Sequence, residues 1–240
     1  MSKLRIAVIY PDLLGTYGDG GNGLVLFRRA ERRGIDADLV QAVSEEPVPA
    51  ADLYTLGGGE DGPQLLATER LRVDGTLARR VGEGAVLLAV CAGYQIVGTS
   101  FPTADGSEVP GLGLLDAATL KKQGPRAVGE IVVESRLEGV GELSGFENHG
   151  GVTKLGPAMA PLGTVRVGIG NGDGSDGAWS DRVVGTYLHG PVLARNPALA
   201  DLLLSWATAR PLAPLDDHRE QTLHRERLAA ARGRRSRTRA

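Results

Sequence analysis

The sequence predicts an α/β fold with a mostly parallel sheet that helices cover on both faces. Over the first hundred residues, short apolar segments of strand length alternate with longer segments of helical periodicity. The chain of 240 residues is 42% hydrophobic, which is enough to bury a substantial single core. We therefore expect one domain over residues 1–210, followed by a flexible Pro- and Arg-rich tail over residues 211–240.

Each predicted element rests on a local pattern of residues. Short segments predict parallel strands over residues 4–10, 37–41, 52–56 and 86–90, and the last of these is apolar with β-branched residues at its ends. Helical periodicity predicts helices over residues 24–33, 64–80 and 196–209, the last with Asn196 as its N-cap. After residue 100 the chain is rich in Gly and Pro. Its short β-rich segments predict an antiparallel extension of the sheet over residues 127–135, 142–148, 163–169 and 183–189.

Composition excludes several classes of protein. Aromatic residues make up only 4% of the chain, so there is no stacking platform for single-stranded nucleic acid, and we expect no nucleic-acid partner. A single cysteine cannot form an intrachain disulfide, which fits a reducing compartment. The start of the chain lacks the layout of a signal peptide, and no apolar run approaches the about 20 residues of a membrane span. These observations predict a cytoplasmic protein.

That single cysteine, Cys91, stands where the fourth predicted strand turns into a helix. Such a turn presents a nucleophile at the edge of a sheet. The partial positive charge at a helix N-terminus also favours a thiolate over a thiol. A free cysteine is often only a small buried hydrophobe, but the small neighbours of Cys91 and the strand-to-helix turn favour a nucleophile.

Further candidates belong at the same edge, because open α/β sheets place their sites at the carboxyl ends of the strands. His189 follows an apolar strand, and its imidazole would hold the Cys91 thiolate as an ion pair and later protonate a leaving amine. Three glycines follow the third predicted strand. The backbone N–H of Gly58 or Gly59, together with that of Ala92, would stabilise an oxyanion.

Two other segments are weaker candidates. His149 is a second candidate base, but its position before two glycines favours a wall of the site or a contact to the substrate. The glycine-rich loop over residues 15–23 lacks the Lys-Ser or Lys-Thr pair of a P-loop and the glycine spacing of a dinucleotide site. We expect this loop to form a wall of the site. No Cys/His cluster has the spacing of metal ligands, so no metal is expected.

The motif Cys91-Ala-Gly93-Tyr-Gln95 resembles the Cys-x-Gly-x-Gln nucleophile motif of the class I (triad-type) glutamine amidotransferases. That family has a flavodoxin-like domain, a three-layer α/β sandwich, and the glycines over 57–59 resemble its oxyanion strand. A closer resemblance is to the cobyric-acid-synthase-like branch, and within it to the glutaminase subunits of lipid II isoglutaminyl synthases. It is carried by the segments 15–22, 56–61, 91–95, 146–151 and 185–191, which span nearly the whole chain up to the tail.

This resemblance implies a glutaminase that hydrolyses L-glutamine to glutamate and ammonia, with Cys91 as the nucleophile and His189 as the base. It implies substrate contacts from Arg126, Gln95 and His149, and the Arg126 guanidinium suits the α-carboxylate of glutamine. It further implies a heterodimer with a MurT-like Mur ligase subunit. That partner would use ATP and the ammonia to amidate D-glutamate in lipid II, and no cofactor is expected in this chain.

One position departs from the family pattern. Many triad-type amidotransferases carry an acid two residues after the histidine, where this chain has Pro191. The acid of a triad orients the imidazole and stabilises its charged form, so another residue or a partner must supply it. The resemblance favours an aspartate of the partner. On this hypothesis the isolated chain is a weak glutaminase that gains activity in the complex.

Other interpretations stay open. The chain could serve a different amidating ligase, such as one that acts on cobyrinate. It could also be a cysteine hydrolase or peptidase of similar fold, or a binding module without catalysis. Residues 211–240 hold eight arginines and four acids. A solvated tail explains this composition, and a weak contact with an anionic membrane surface is a further expectation.

Overall fold

A computed structural model describes residues 3–237, with side chains described up to residue 233. The strands in chain order are β1 (Leu4–Ile9), β2 (Ala37–Ala42), β3 (Leu53–Leu56), β4 (Val86–Val90), β5 (Ser100–Pro102), β6 (Glu108–Pro110), β7 (Ala117–Lys121), β8 (Ala127–Ser135), β9 (Glu142–His149), β10 (Gly151–Leu155), β11 (Gly163–Val167), β12 (Ser175–Asp176), β13 (Ala178–Ser180) and β14 (Val183–Thr186). The helices are α1 (Gly21–Glu31), α2 (Asp61–Asp74), α3 (Thr76–Gly82), α4 (Ala92–Val97), α5 (Val192–Arg195), α6 (Pro197–Thr208) and α7 (His218–Arg237).

A six-stranded sheet with the order β13-β14-β4-β3-β1-β2 forms the centre of the molecule. The five strands from β14 to β2 pair in parallel, and β13 joins the edge antiparallel to β14. Every residue of β3 and β4 is buried, which explains why these strands are apolar runs without alternation. The predicted mostly parallel sheet of an α/β fold is therefore confirmed.

The β-rich segments after residue 100 pair differently from the prediction. Apart from β13 and β14, they do not extend the central sheet but form two separate four-stranded sheets, with the orders β10-β7-β5-β6 and β12-β11-β8-β9. The cause is that β8 pairs with both β9 and β11 in antiparallel registers. A bridge between Phe146 and His189 joins the end of β9 to the chain just after β14. This contact brings a second sheet to the carboxyl edge of the central one.

The helix predicted over residues 64–80 is two helices. Gly75 adopts a left-handed conformation with φ 67°, and its N–H donates to Leu71 O, so it ends α2 before α3 begins. A glycine in this conformation is a common helix terminator, because it has no Cβ to clash there. Of the helices in the described part of the chain, none is long and apolar enough to cross a membrane.

The sequence predicts a flexible tail over residues 211–240, whereas most of this segment is α7. Leu228 and Ala231 of α7 are buried against Val132 of β8. Just before the helix, Asp217 accepts two hydrogen bonds, at 2.8 and 2.6 Å, from the buried guanidinium of Arg29 in α1. The structure therefore gives a helix over residues 218–237, and the flexibility of this segment stays a prediction. Residues 238–240 lie outside the described part of the chain.

Candidate active site

Cys91 occupies a sharp turn between β4 and α4. Its backbone has φ 53° and ψ −107°, a conformation that costs free energy for a residue with a Cβ. Two hydrogen bonds hold the turn: the Cys91 N–H donates to Thr186 O at 2.8 Å, and the Gln95 N–H donates to Cys91 O at 3.0 Å. The structure thus places Cys91 in the strand-to-helix turn that the sequence predicts.

His189 reaches the same cleft from the segment after β14, and its imidazole is oriented by Asp19. The Nδ1 atom of His189 lies 2.7 Å from Oδ2 of Asp19, and both side chains are buried. The other ring nitrogen, Nε2, makes no hydrogen bond to any described residue, and His189 lines the same cleft as Cys91. A sulfur, an imidazole and a carboxylate arranged in this way have the roles of a catalytic triad.

The charge of His189 follows from these neighbours. Burial alone would lower the pKa of His189, but the hydrogen bond to Asp19 and the nearby Cys91 outweigh burial and raise this pKa to about 10. The ring is therefore an imidazolium at neutral pH, with Nδ1 donating to Asp19. An imidazolium in this position can protonate a leaving group.

Asp19 is the functional residue that sequence reasoning missed. It lies in the glycine-rich loop after β1, for which the sequence predicts only a wall of the site. The acid that is absent at Pro191 comes from this loop, so the partner aspartate of the sequence-based hypothesis is not needed to orient His189. One signal could have found it: an acid in the loop after a parallel strand lies at the edge where sites form.

Gly58 packs directly against this pair and is not available as an oxyanion donor. Its N–H donates to Oδ2 of Asp19 at 3.0 Å, and its carbonyl oxygen accepts from the N–H of Thr16 at 3.1 Å. A Cβ on this residue would lie 2.5 Å from Cε1 of His189. The prediction that Gly58 stabilises an oxyanion is therefore wrong. Its glycine character instead lets Asp19 and His189 meet.

Gly59 and Ala92 both line the cleft beside Cys91, and they stay the predicted oxyanion donors. Ala92 is the first residue of α4, a position whose N–H has no partner within the helix. The next residue, Gly93, donates its N–H to Gly57 O at 3.1 Å. A Cβ on Gly93 would lie 2.7 Å from Leu56 O, so this glycine allows the turn after Cys91 to approach the end of β3.

Arg126 lines the same cleft just before β8 and is exposed to solvent. Its Nε atom donates to Oδ1 of Asn148 at 3.1 Å, and an amino group donates to Asn148 O at 3.3 Å. The guanidinium is therefore held near Cys91 while part of it stays accessible. This placement suits the predicted contact with a substrate carboxylate, and the role itself stays a prediction.

Gln95 also lines the cleft, one turn of α4 after the nucleophile. Its amide is held between Gln64, whose Nε2 lies 2.9 Å from Gln95 Oε1, and Tyr187, whose hydroxyl lies 3.3 Å from Gln95 Nε2. Tyr187 in turn bonds to Thr153 at 2.7 Å. A side-chain network thus fixes Gln95 in the wall of the cleft, and its role in substrate binding stays a prediction.

His149 lines the cleft, but both of its ring nitrogens have acceptors as neighbours. Nδ1 lies 3.0 Å from Gly151 O, and Nε2 lies 3.2 Å from Oε2 of Glu147. The ring also stacks on Tyr187, with 3.8 Å between the ring centroids. A ring with contacts at both nitrogens and on one face is held in place within the wall, which favours His189 as the base. Among the described residues, no group of three or more His, Cys, Asp and Glu side chains could hold a metal ion.

Comparison with known proteins identifies relatives over most of the chain. Residues 5–197 match the model of the CobB/CobQ-like glutamine amidotransferase domain. The subunit GatD of lipid II isoglutaminyl synthase (glutamine-hydrolyzing) from Staphylococcus aureus (strain N315) is 38% identical over 221 residues, covering 90% of this chain and 89% of that protein. The subunit of the same name from Streptococcus pneumoniae (strain ATCC BAA-255 / R6) is 35% identical over 211 residues, covering 85% and 80%.

Solved structures are similar in fold. A crystal structure of a glutamine amidotransferase matches with a TM-score of 0.60 and 23% identity, covering 85% of this chain and 98% of that one. A glutamine amidotransferase from Thermotoga maritima matches with a TM-score of 0.53 and 17% identity, covering 96% and 91%. These similarities confirm the predicted fold class.

Proposed function

Because this chain belongs to the CobB/CobQ-like glutamine amidotransferase family, we propose that it is the glutaminase subunit of a lipid II isoglutaminyl synthase. The chain is a glutamine-hydrolysing amidotransferase. The proposed link to lipid II is supported by two relatives that are named as subunits of lipid II isoglutaminyl synthase and are 35% and 38% identical to this chain. The single structural observation that best supports it is that Cys91 and His189 line one cleft and that the buried Asp19 is bonded to the His189 imidazole. This arrangement suits hydrolysis of an amide through a thioester.

The proposed reaction begins with attack of the Cys91 thiolate on the side-chain carbonyl carbon of glutamine. The N–H groups of Gly59 and Ala92 stabilise the oxyanion of the tetrahedral intermediate. His189 gives its proton to the leaving nitrogen, so ammonia departs and a thioester to Cys91 forms. His189 then takes a proton from water, the hydroxide attacks the thioester, and glutamate leaves as the thiolate is restored.

Substrate recognition uses the walls of the same cleft. The Arg126 guanidinium binds the α-carboxylate of glutamine, since it is exposed at the cleft and carries a permanent positive charge. The Gln95 amide offers a further polar contact. His149 keeps the wall rigid and does not exchange protons with the substrate.

The ammonia is passed to a partner. The name of the two relatives describes them as subunits, and we infer a heterodimer with a MurT-like Mur ligase subunit. That partner would bind ATP and lipid II and would amidate D-glutamate in the stem peptide, while this chain needs no cofactor. A cytoplasmic location at the inner face of the membrane follows from this proposal, and weak contact with the membrane surface stays a prediction.

Isotope transfer tests this function. The chain is combined with its Mur-ligase-like partner, ATP, lipid II and glutamine labelled with ¹⁵N in the side-chain amide. We expect ¹⁵N in the amidated glutamate of lipid II. The Cys91→Ser variant should lose this transfer yet still support amidation from added ammonium chloride, which shows that the ligase half remains intact. Transfer of the label from glutamine by the Cys91→Ser variant, or no transfer to lipid II by the unaltered chain, would contradict the proposal.

A second acceptor, cobyrinate, is favoured only by the description of the family model. Offering cobyrinate in place of lipid II in the same assay separates the two acceptors. Label in cobyrinate and none in lipid II would assign the chain to the other amidation.

A further inference from the structure

The reactive pair is closed off in this structure. His189 is 1% exposed and Cys91 is 8% exposed. The cleft that they line has a volume of about 60 Å³, whereas sites for small molecules commonly have volumes of about 300 Å³ or more. This volume leaves little room for a glutamine side chain beside the Cys91 sulfur, so binding of the substrate requires a wall of the cleft to move.

Tyr17 is the wall of the cleft that packs against the His189 ring. Its ring centroid lies 4.9 Å from that of His189 and 5.3 Å from that of Phe146. Its hydroxyl accepts a hydrogen bond from the side-chain amide of Asn148 in β9. The backbone oxygen of Asn148 lies 4.0 Å from the Cys91 sulfur. The Tyr17 side chain therefore reaches from the glycine-rich loop to the strand beside the nucleophile.

Tyr17 can move without disturbing the orientation of His189. The residue before it, Thr16, donates its N–H to Gly58 O, and Gly58 donates its own N–H to Asp19. The loop is thus fixed to one glycine on both sides of Tyr17. Tyr17 is itself 50% exposed, and its backbone has the unfavourable φ of 55°. Rotation of this side chain into solvent would leave the bond between Asp19 and His189 intact.

We propose that Tyr17 is the gate of the active site, and that its hydrogen bond to Asn148 holds the gate closed until glutamine displaces it. This inference rests on the proposed glutaminase function, because it names the residue that admits the substrate of that reaction. Tyr17 is a positioning residue in this proposal, since it controls access and takes part in no bond that forms or breaks.

The rate of Cys91 alkylation by iodoacetamide tests the gate directly. Cys91 is the only cysteine of the chain, so the mass of the whole protein reports this one site, and no glutamine turnover is needed. Tyr17→Phe keeps the ring and removes the hydroxyl. Asn148→Ala breaks the same bond from the other wall. Val73→Ala, at an exposed position on α2, is the matched control.

Alkylation rates should rise about fivefold in Tyr17→Phe, the effect expected when one neutral hydrogen bond no longer favours the closed state. They should rise at least as much in Asn148→Ala, which also frees the Arg126 guanidinium. The double variant should react no faster than Asn148→Ala alone, because that change already removes the bond to Tyr17. The ratio of each variant's alkylation rate to that of the unaltered chain should be the same at each pH tested. A constant ratio separates a change in access to Cys91 from a change in its thiolate content. Val73→Ala should react like the unaltered chain.

A Tyr17→Phe variant that is alkylated as slowly as the unaltered chain would overturn the gate, as would rates that multiply in the double variant. Failure of the proposed function would look different. In that case Cys91 would be alkylated faster when Tyr17 is altered, but no variant, including the unaltered chain, would release ammonia from glutamine.

Discussion

The pair of Asp19 and His189 sets the protonation state on which the proposed chemistry depends. Asp19 fixes the proton on Nδ1 of the imidazole, so Nε2 faces the sulfur. Burial lowers the pKa of His189, and the hydrogen bond to the carboxylate is the largest of the contacts that raise it. The acid therefore has two effects: it selects the ring orientation and it stabilises the imidazolium.

Asp19→Asn tests these effects. The amide keeps the size of the side chain but can donate to Nδ1, which would place the ring proton on the wrong nitrogen. We expect the turnover of glutamine to fall by about a hundredfold or more, as for neutral replacements of the acid in other triads. Initial rates of ammonia release measure it, with the loop variant Asp105→Asn as the control. Full activity of Asp19→Asn in complex with the ligase subunit would show that a partner supplies the acid after all.

The free energy of unfolding should depend on pH through the protonation of His189. The pKa of this histidine is raised from 6.5 to about 10, so its stabilising contribution is complete below pH 6.5 and is lost as pH rises towards 10. The slope for one proton is at most about 1.4 kcal/mol per pH unit. Urea unfolding of the unaltered chain and of His189→Gln measures this. We expect the difference in unfolding free energy between the unaltered chain and His189→Gln to shrink between pH 6.5 and pH 10. A difference that stays constant with pH would refute the pairing of His189 with Asp19.

The loop after β3 is the element that places Asp19 and His189 together. Its glycines approach backbone and side-chain atoms of other segments, and Gly58 makes the closest contact with the imidazole. A methyl group added at the nearby Gly62, on α2, would meet no atom within 4 Å, so this position provides a matched comparison.

Gly58→Ala should therefore lose most of the glutaminase activity while the protein stays folded. The added methyl group would push against Cε1 of His189 at 2.5 Å and displace the ring from Asp19. Gly62→Ala should keep its activity and gain about 0.5–1 kcal/mol of stability, because alanine favours a helix over glycine. Ammonia release and thermal unfolding of both variants check this, and equal activity of the two would contradict the assigned contact.

Helix α7 shows what local sequence cannot predict. Its composition is polar and basic, and only Leu228 and Ala231 of its side chains are buried among the described residues. The contacts that hold this segment come from residues distant in the chain: Val132 on β8 packs against the helix, and Arg29 on α1 pairs with Asp217 just before it. A short apolar face and ion pairs to other elements leave little periodicity to detect.

Leu228→Ala should weaken the contact between α7 and β8. Removal of this buried side chain should cost about 2 kcal/mol, and the loss should fall on α7 more than on the central sheet. Hydrogen exchange followed by mass spectrometry should show faster exchange over residues 218–233 and unchanged protection of β4. Arg227→Ala, at an exposed neighbouring position, is the control. Rapid exchange of α7 in the unaltered chain would support the flexible tail that the sequence predicts.

Across the whole molecule, the site assembles where parallel strands end. The predicted strands β3 and β4, the turn at Cys91 and the position of His189 followed from local apolar runs and from the rule that sites lie at the carboxyl edge of such sheets. The partnership of Asp19 with His189 could not be predicted in this way. The two residues are 170 positions apart, and a single acid among glycines carries no periodic signal.

The arrangement of the site also bears on how a partner that receives the ammonia could raise the glutaminase activity. Because Asp19 already orients His189, a gain of activity in the complex would have to come from another source than a missing acid. If Tyr17 is the gate that we propose, a partner that favours its open position would be one such source, because glutamine would then reach Cys91 more often.

Covalent labelling by 6-diazo-5-oxo-norleucine would show whether Cys91 is the nucleophile of a glutamine site, since this glutamine analogue reacts where glutamine binds beside a nucleophile. The mass of the intact chain, followed by peptide mapping, gives the number and position of adducts. We expect one adduct, on Cys91, that is suppressed by excess glutamine, slowed in Asp19→Asn and absent from Cys91→Ser. An adduct on any other residue, or an unreactive Cys91 in the complex with the ligase subunit, would contradict the proposed role of Cys91.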